Sequence, residues 1–159
     1  MQQAQFEELA RRYRDNLFAI AFQYTRNAAD AEDMTQIALM KCYKAEKPFE
    51  NEEHARNWLI RVTINECKRY LTSPWRRLTA PIDDYAQTLG FESPEQSELF
   101  LAVMKLPQKY RVCIHLYYYE DYSVREVAQM LGLRESAVQT RLMRARQKLK
   151  STLEGWNDD

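Results

Sequence analysis

One stretch near the C-terminus constrains this chain more than any other, from Tyr122 to Lys150. Ser123 and Glu126, three residues apart, form a capping box, in which two side chains satisfy backbone N–H groups at a helix start. Val124, Val127, Ala128 and Leu131 then recur on one helical face. Gly132 follows them, where a helix commonly ends on a left-handed residue. Leu133 is expected to turn back to the core. A second helix is predicted to begin near residues 134–136, with Val138, Leu142, Ala145 and Leu149 facing inward. The stretch therefore reads as helix, tight turn, helix.

That layout is the one used by DNA-binding helix-turn-helix units. A small residue, Ala128, lets the helices cross closely, and the second helix presents side chains to the major groove. Its outer face carries Gln139, Thr140, Met143, Arg144 and Gln147, flanked by Arg141, Arg146, Lys148 and Lys150. Residues 134–150 hold six basic side chains and one acid, an excess suited to a polyanion. A solvated basic face on an ordinary bundle helix has the same charge. The capping box, the alanine, the glycine and two in-phase apolar faces together favour nucleic acid.

Bulk charge is silent, because 23 basic residues balance 23 acids. The distribution is informative. Residues 61–77 carry Arg61, Lys68, Arg69, Arg76 and Arg77 against Glu66 alone, and residues 78–100 carry five acids and no base. Two basic patches thus flank an acidic segment. With 159 residues but only three Gly and five Pro, the composition favours an all-α fold.

Upstream, Phe6, Leu9, Ala10, Tyr13, Leu17, Ile20, Ala21 and Tyr24 predict a helix over about residues 6–24, with a solvated face at Arg11, Arg12, Arg14 and Asp15. Asn27 is a cap for a second helix reaching about residue 45, with Ala31, Met34, Ala38 and Cys42 inside. Its first-turn acids suit the helix dipole. Asp30, Asp33 and Gln36 also fit an exposed acidic surface for a basic partner, and composition does not choose between these readings. After a loop broken by Pro48 and anchored by Phe49, a third helix is expected over about residues 54–71. Arg61, Asn65, Lys68 and Arg69 share one of its faces. Followed by Trp75, Arg76 and Arg77, they fit a surface that tracks a nucleic-acid backbone, and equally a solvated face with packed tryptophans.

Periodicity lapses over residues 73–92, which read as a flexible linker between domains at 1–72 and 93–159. Ser93 and Pro94 restart helix, ending at Leu106-Pro107. A further helix is expected from Pro107 through Tyr119. Cys42, Cys67 and Cys113 are too scattered for a disulfide frame or zinc site, and His54 and His115 stand alone, in structural roles. No cofactor is expected. Nor does the chain show a signal peptide or an apolar run long enough to cross a membrane, so a reducing cytoplasm is the expected location.

Taken in order, these pieces resemble a bacterial RNA polymerase sigma factor of the extracytoplasmic-function (group IV) type. The resemblance spans nearly the whole chain. Asp30-Ala-Glu-Asp-Met-Thr-Gln36 is similar to the start of that family's polymerase-binding helix, Trp58-Leu-Ile-Arg-Val-Thr-Ile-Asn65 to its promoter-opening segment, and Leu106-Pro107, Tyr122–Gly132 and Arg141–Arg146 to its C-terminal domain.

Several roles are implied by the resemblance. Asp30, Asp33 and Gln36 would contact core RNA polymerase. The loop 46–53 with Asn65 would hold a base flipped from the minus-ten element of promoter DNA, while Arg61, Lys68, Arg69, Arg76 and Arg77 track phosphates. Thr140, Met143 and Arg144 would face the minus-thirty-five bases, with Gln139 and Arg141 at the edge. The linker would thread the polymerase near its RNA exit path. An anti-sigma factor, in this family usually membrane-anchored, would be the controlling partner. Met143 stands where a base-contacting side chain is expected and offers only apolar contact, as to a thymine methyl.

Two other classes compete. A stand-alone helix-turn-helix regulator predicts a dimer on palindromic half-sites, and leaves the N-terminal basic patch unexplained. A helical enzyme needs paired acid/base or metal residues, which two isolated histidines do not supply.

Overall fold

The computed structural model describes residues 2–45, 48–74 and 93–157. Within them the regular structure is helical, and the chain divides into two compact units, Met1–Leu78 and Thr79–Asp159.

The first unit is built from three helices: α1 (Gln3–Thr25), α2 (Ala28–Lys44) and α3 (Glu52–Leu71). Each packs on the other two. Leu17, Ile20 and Ala21 of α1, Ala31 and Ala38 of α2, and Leu59, Ile60 and Ile64 of α3 lose nearly all their accessible surface. Each large aliphatic side chain so buried stabilises the unit by about 1.5–3 kcal/mol. The helix ends follow side-chain chemistry. Arg26 adopts a left-handed conformation (φ 50°) and donates its N–H to the Phe22 carbonyl, closing α1. Asn27 then caps α2 by accepting from the Asp30 N–H at 3.0 Å. α3 starts two residues earlier than periodicity suggested, because Asn51 accepts from the His54 N–H at 2.8 Å.

Polar links tie these helices together. The supposedly solvated face of α1 pairs Arg12 with Glu52 and Arg14 with Glu32, reaching α3 and α2. Such half-exposed pairs orient helices and contribute little stability. Between α2 and α3, Glu66 is 5% exposed and pairs with Lys41.

The second unit contains α4 (Pro94–Met104), α5 (Gln108–Ile114), α6 (Val124–Leu131) and α7 (Glu135–Asn157). α4, α5 and α6 all pack on α7 through Val138, Leu142 and Ala145, which are fully buried. The predicted capping box is present: the Glu126 N–H donates to Ser123 Oγ at 3.1 Å and the Ser123 N–H to Glu126 Oε1 at 2.9 Å. Gly132 is left-handed (φ 67°), and the following Leu133 N–H returns to the Ala128 carbonyl at 2.9 Å.

The helix expected from Pro107 through Tyr119 differs in its last turn. After Ile114 the chain widens into a π-helical turn, His115–Tyr119. The Glu120 N–H bonds the His115 carbonyl at 3.1 Å. This widening brings His115 Nε2 to 3.2 Å from Glu120 Oε1, both side chains buried. Buried ionisable groups persist when partnered, and the wider turn supplies the partner.

Candidate nucleic-acid and protein interfaces

On α2, the three residues that one of two readings grouped into an exposed acidic surface separate. Gln36 is exposed and Asp33 half-buried, but Asp30 is only 2% exposed. Its carboxylate accepts a hydrogen bond from the Tyr70 hydroxyl of α3. Asp30 is thus part of the packing behind the surface, which corrects the reading of it as an exposed acid and leaves Asp33 and Gln36 at the surface. Beside Asp33 and Gln36, Ile37 and Met40 are 39% and 53% exposed. With Met34 and Tyr70 these residues line a groove of about 660 Å³ between α2 and α3. Its chemistry is an apolar floor with acid and amide at the rim, suited to a protein partner.

α3 segregates sharply. Arg61, Asn65, Lys68 and Arg69 are exposed, while Leu59, Ile60, Thr63, Ile64 and Cys67 are buried. Arg69 lies 3.6 Å from the Glu66 carboxylate and keeps most of its side chain in solvent. Trp58 is half-buried against Phe49, their rings 5.6 Å apart, and Phe49 meets His54 edge-on at 5.3 Å. His54 Nδ1 also accepts from the Glu50 N–H at 3.1 Å. The described part of the loop, residues 48–51, is therefore held by aromatic contacts and by the α3 cap. Leu9, Ala45, Pro48, Phe49, Asn51 and Ala55 line a cavity of about 560 Å³ beside it. Glu46, Arg76 and Arg77 lie outside the described residues, as does most of the expected linker.

On α7, Gln139, Met143 and Arg144 are exposed, and Thr140 and Arg141 half-buried. All five stand off the packed stripe of Val138, Leu142 and Ala145. Near Arg141 lies the buried Cys113 of α5. Burial pushes that thiol up, and the guanidinium partly offsets the rise. Sequence reasoning passed over the surroundings of Arg146. Its Nε donates to the Tyr118 hydroxyl at 2.6 Å, and its guanidinium carbon lies 5.9 Å and 5.6 Å from the ring centres of Tyr117 and Tyr118. The run of three tyrosines at residues 117–119 was the available signal.

The three cysteines are buried and free. Burial, with the nearby Glu66 charge, pushes the Cys67 thiol up to about 12. Such thiols are poor nucleophiles and poor ligands. Among the described residues, no helix is long and apolar enough to cross a membrane.

Comparison with known proteins follows this division. The family model "Sigma-70 region 2" matches residues 9–77, and "Sigma-70, region 4" matches residues 96–149. The chain is 28% identical over 150 residues to the ECF RNA polymerase sigma factor SigM of Mycobacterium tuberculosis, covering 93% of this chain and 76% of the relative. It is 26% identical to the ECF RNA polymerase sigma-E factor of Escherichia coli, covering 96% and 88%. In structure it is similar to CnrH in complex with the cytosolic domain of CnrY (TM-score 0.67, 26% identity, 97% of this chain and 90% of that chain). It also shares its fold with the sigma factor RpoE bound to the anti-sigma factor NepR from Bartonella quintana (TM-score 0.74, 20% identity, 94% and 97%).

Proposed function

Because this chain belongs to the sigma-70 family, as a sigma factor of the extracytoplasmic-function type that directs promoter-specific transcription initiation, we propose that its two units divide that work between them. In the first, Asp33 and Gln36, with Ile37 and Met40, dock on core RNA polymerase. Asp30 supports that surface from behind through Tyr70. On α3, Arg61, Lys68 and Arg69 track phosphates of the minus-ten element, and Arg76 and Arg77 extend that track by sequence alone. Asn65 and the aromatic-braced loop at residues 48–51 hold a base that has left the stack. Unstacking costs about a few kcal/mol, offset only when the base fits.

In the second unit, Thr140, Met143 and Arg144 face the bases of the minus-thirty-five element, with Gln139 and Arg141 at the edge. Phosphate contacts position the protein, and base contacts specify the sequence. The mechanism is binding, without catalytic chemistry of the chain's own, and it takes place in the cytoplasm. Balanced total charge, 23 cations against 23 acids, implies weak duplex binding by the free chain and promoter affinity acquired on the polymerase. CnrH and RpoE are each held by a partner, CnrY and NepR. A comparable anti-sigma factor covering the polar faces described above is the regulator we propose.

The observation that carries this reading is the segregation on α3: three cations and an amide stand exposed on a helix whose opposite face is wholly packed. Run-off transcription with bacterial core polymerase on genomic fragments tests it. Promoter-specific transcripts that require the protein are expected. Specific duplex binding by the free protein, with no transcript, would instead identify a stand-alone regulator.

A further inference from the structure

Arg146 is anchored differently from Arg12 and Arg14, which also cross between helices. Arg12 and Arg14 spend their charge on the carboxylates of Glu52 and Glu32. The partners of Arg146 are two neutral phenols. Nε donates to the Tyr118 hydroxyl at 2.6 Å, and the guanidinium lies over the rings of Tyr117 and Tyr118. Those rings hold each other edge-on, with centres 4.9 Å apart. Tyr118 is 50% exposed and Arg146 is exposed. Among the described residues no carboxylate pairs with Arg146, and its Nη groups have no partner. The side chain is therefore fixed in direction, no described carboxylate offsets its charge, and the exposed guanidinium is open to solvent.

Its place on α7 matters equally. Helical periodicity puts residue 146 almost directly in line with residue 139, two turns away, at the border between the packed stripe and the outer face. Gln139, Met143 and Arg146 thus form one side of the surface that faces promoter bases in the proposed function. An arginine at such a border, beyond the base-reading side chains, meets the sugar-phosphate backbone flanking the groove. A planar fork suits a phosphate, and an arginine already ordered by aromatic rings loses less freedom on binding it.

We propose that Arg146 contacts a backbone phosphate of the promoter duplex, and that Tyr118 is the positioning residue that aims it. The inference rests on the reading of α7 as the promoter helix. It adds a phosphate clamp built by the π-helical turn, whose tyrosines reach α7 from the neighbouring element.

The test uses polymerase holoenzyme carrying this chain, and promoter duplexes that differ at the minus-thirty-five bases. Closed-complex affinity is measured against salt concentration. In Arg146→Ala, and in Arg146→Gln as a second exposed-site variant, the slope of log K against log salt should shrink by about 0.9, the value for one phosphate. Affinity should fall by a similar factor on every duplex. Tyr118→Leu should weaken binding several-fold in the otherwise natural protein and less than twofold in the Arg146→Ala background. Unchanged salt slopes, with discrimination between duplexes intact, would overturn the clamp and leave the promoter-helix reading standing. Full additivity of the Tyr118 and Arg146 effects would remove the positioning role. If Arg144→Ala also leaves discrimination between duplexes untouched, both the clamp and the reading beneath it fall.

Discussion

The Asp30 carboxylate accepts a hydrogen bond from the hydroxyl of Tyr70, forty residues along the chain, and so joins the first turn of α2 to the last turn of α3. The helix proposed to dock on polymerase and the helix proposed to hold DNA are thereby locked at one end. Near the other end of α2, Lys41 reaches the buried Glu66. Removing the Tyr70 hydroxyl takes a donor from a buried carboxylate, a loss of about 1–3 kcal/mol. Tyr70→Phe should lower the urea midpoint accordingly, with an unchanged dependence on denaturant. A midpoint equal to that of the natural protein would show that Asp30 does not rely on this bond.

Asp33 should behave in the opposite way. It is half-buried at the groove rim, away from the packed core. Asp33→Arg reverses a charge on the proposed docking surface, so co-purification with core polymerase should drop at least tenfold while the melting temperature stays within a few degrees. Unchanged co-purification would move the docking surface elsewhere.

Asn65 is exposed one turn from Arg61 and Arg69 on the basic face of α3. If it holds a flipped base, Asn65→Ala should spare closed-complex formation and slow strand opening. Permanganate reactivity of thymines around the start site reads the opening directly, and a normal footprint would end that assignment.

The thiol of Cys67 supplies a pH prediction. Its value rises to about 12 in the folded chain because burial and the neighbouring Glu66 charge disfavour the thiolate. An unfolded thiol titrates near 8.5. Below that value both states keep the proton, and the group makes no difference with pH. Between about pH 9 and 12 only the unfolded state ionises, so stability falls by about 1.4 kcal/mol per pH unit from this group. Urea unfolding of the natural protein should therefore steepen across that window relative to Cys67→Ala. Parallel curves would refute the shift.

Much of the fold was legible because its signals are local. Ser123, Glu126 and Gly132 act within their own turn, and the three-four spacing of Leu17, Ile20 and Ala21 needs no distant partner. The exposed row of Arg61, Asn65, Lys68 and Arg69 was readable for the same reason. What escaped depends on long-range partners. Asp30 looks like a surface acid until Tyr70 arrives from another helix, and Glu66 looks like one more solvated charge until Lys41 covers it. The π-helical turn escaped because residues 115–119 have ordinary helical character. Only the reach of His115 to Glu120 distinguishes the wider turn.

Gly132 allows strain to be separated from crowding at the turn between α6 and α7. Its φ of 67° lies in the left-handed region, yet a Cβ built there meets nothing within 4 Å. A substitution is therefore opposed by backbone conformation alone. Left-handed backbone costs a residue with a side chain about 1–2 kcal/mol, and the reduced freedom of the unfolded chain returns about 0.4–1 kcal/mol of this. Gly132→Ala should destabilise the protein by about 1 kcal/mol. Gly132→Asn, whose side chain tolerates this conformation, should cost clearly less. Because the turn sets the crossing of α6 and α7, promoter discrimination should survive in both variants once they are folded. Equal penalties for Ala and Asn would point to crowding instead of conformation, contrary to the open space around this residue.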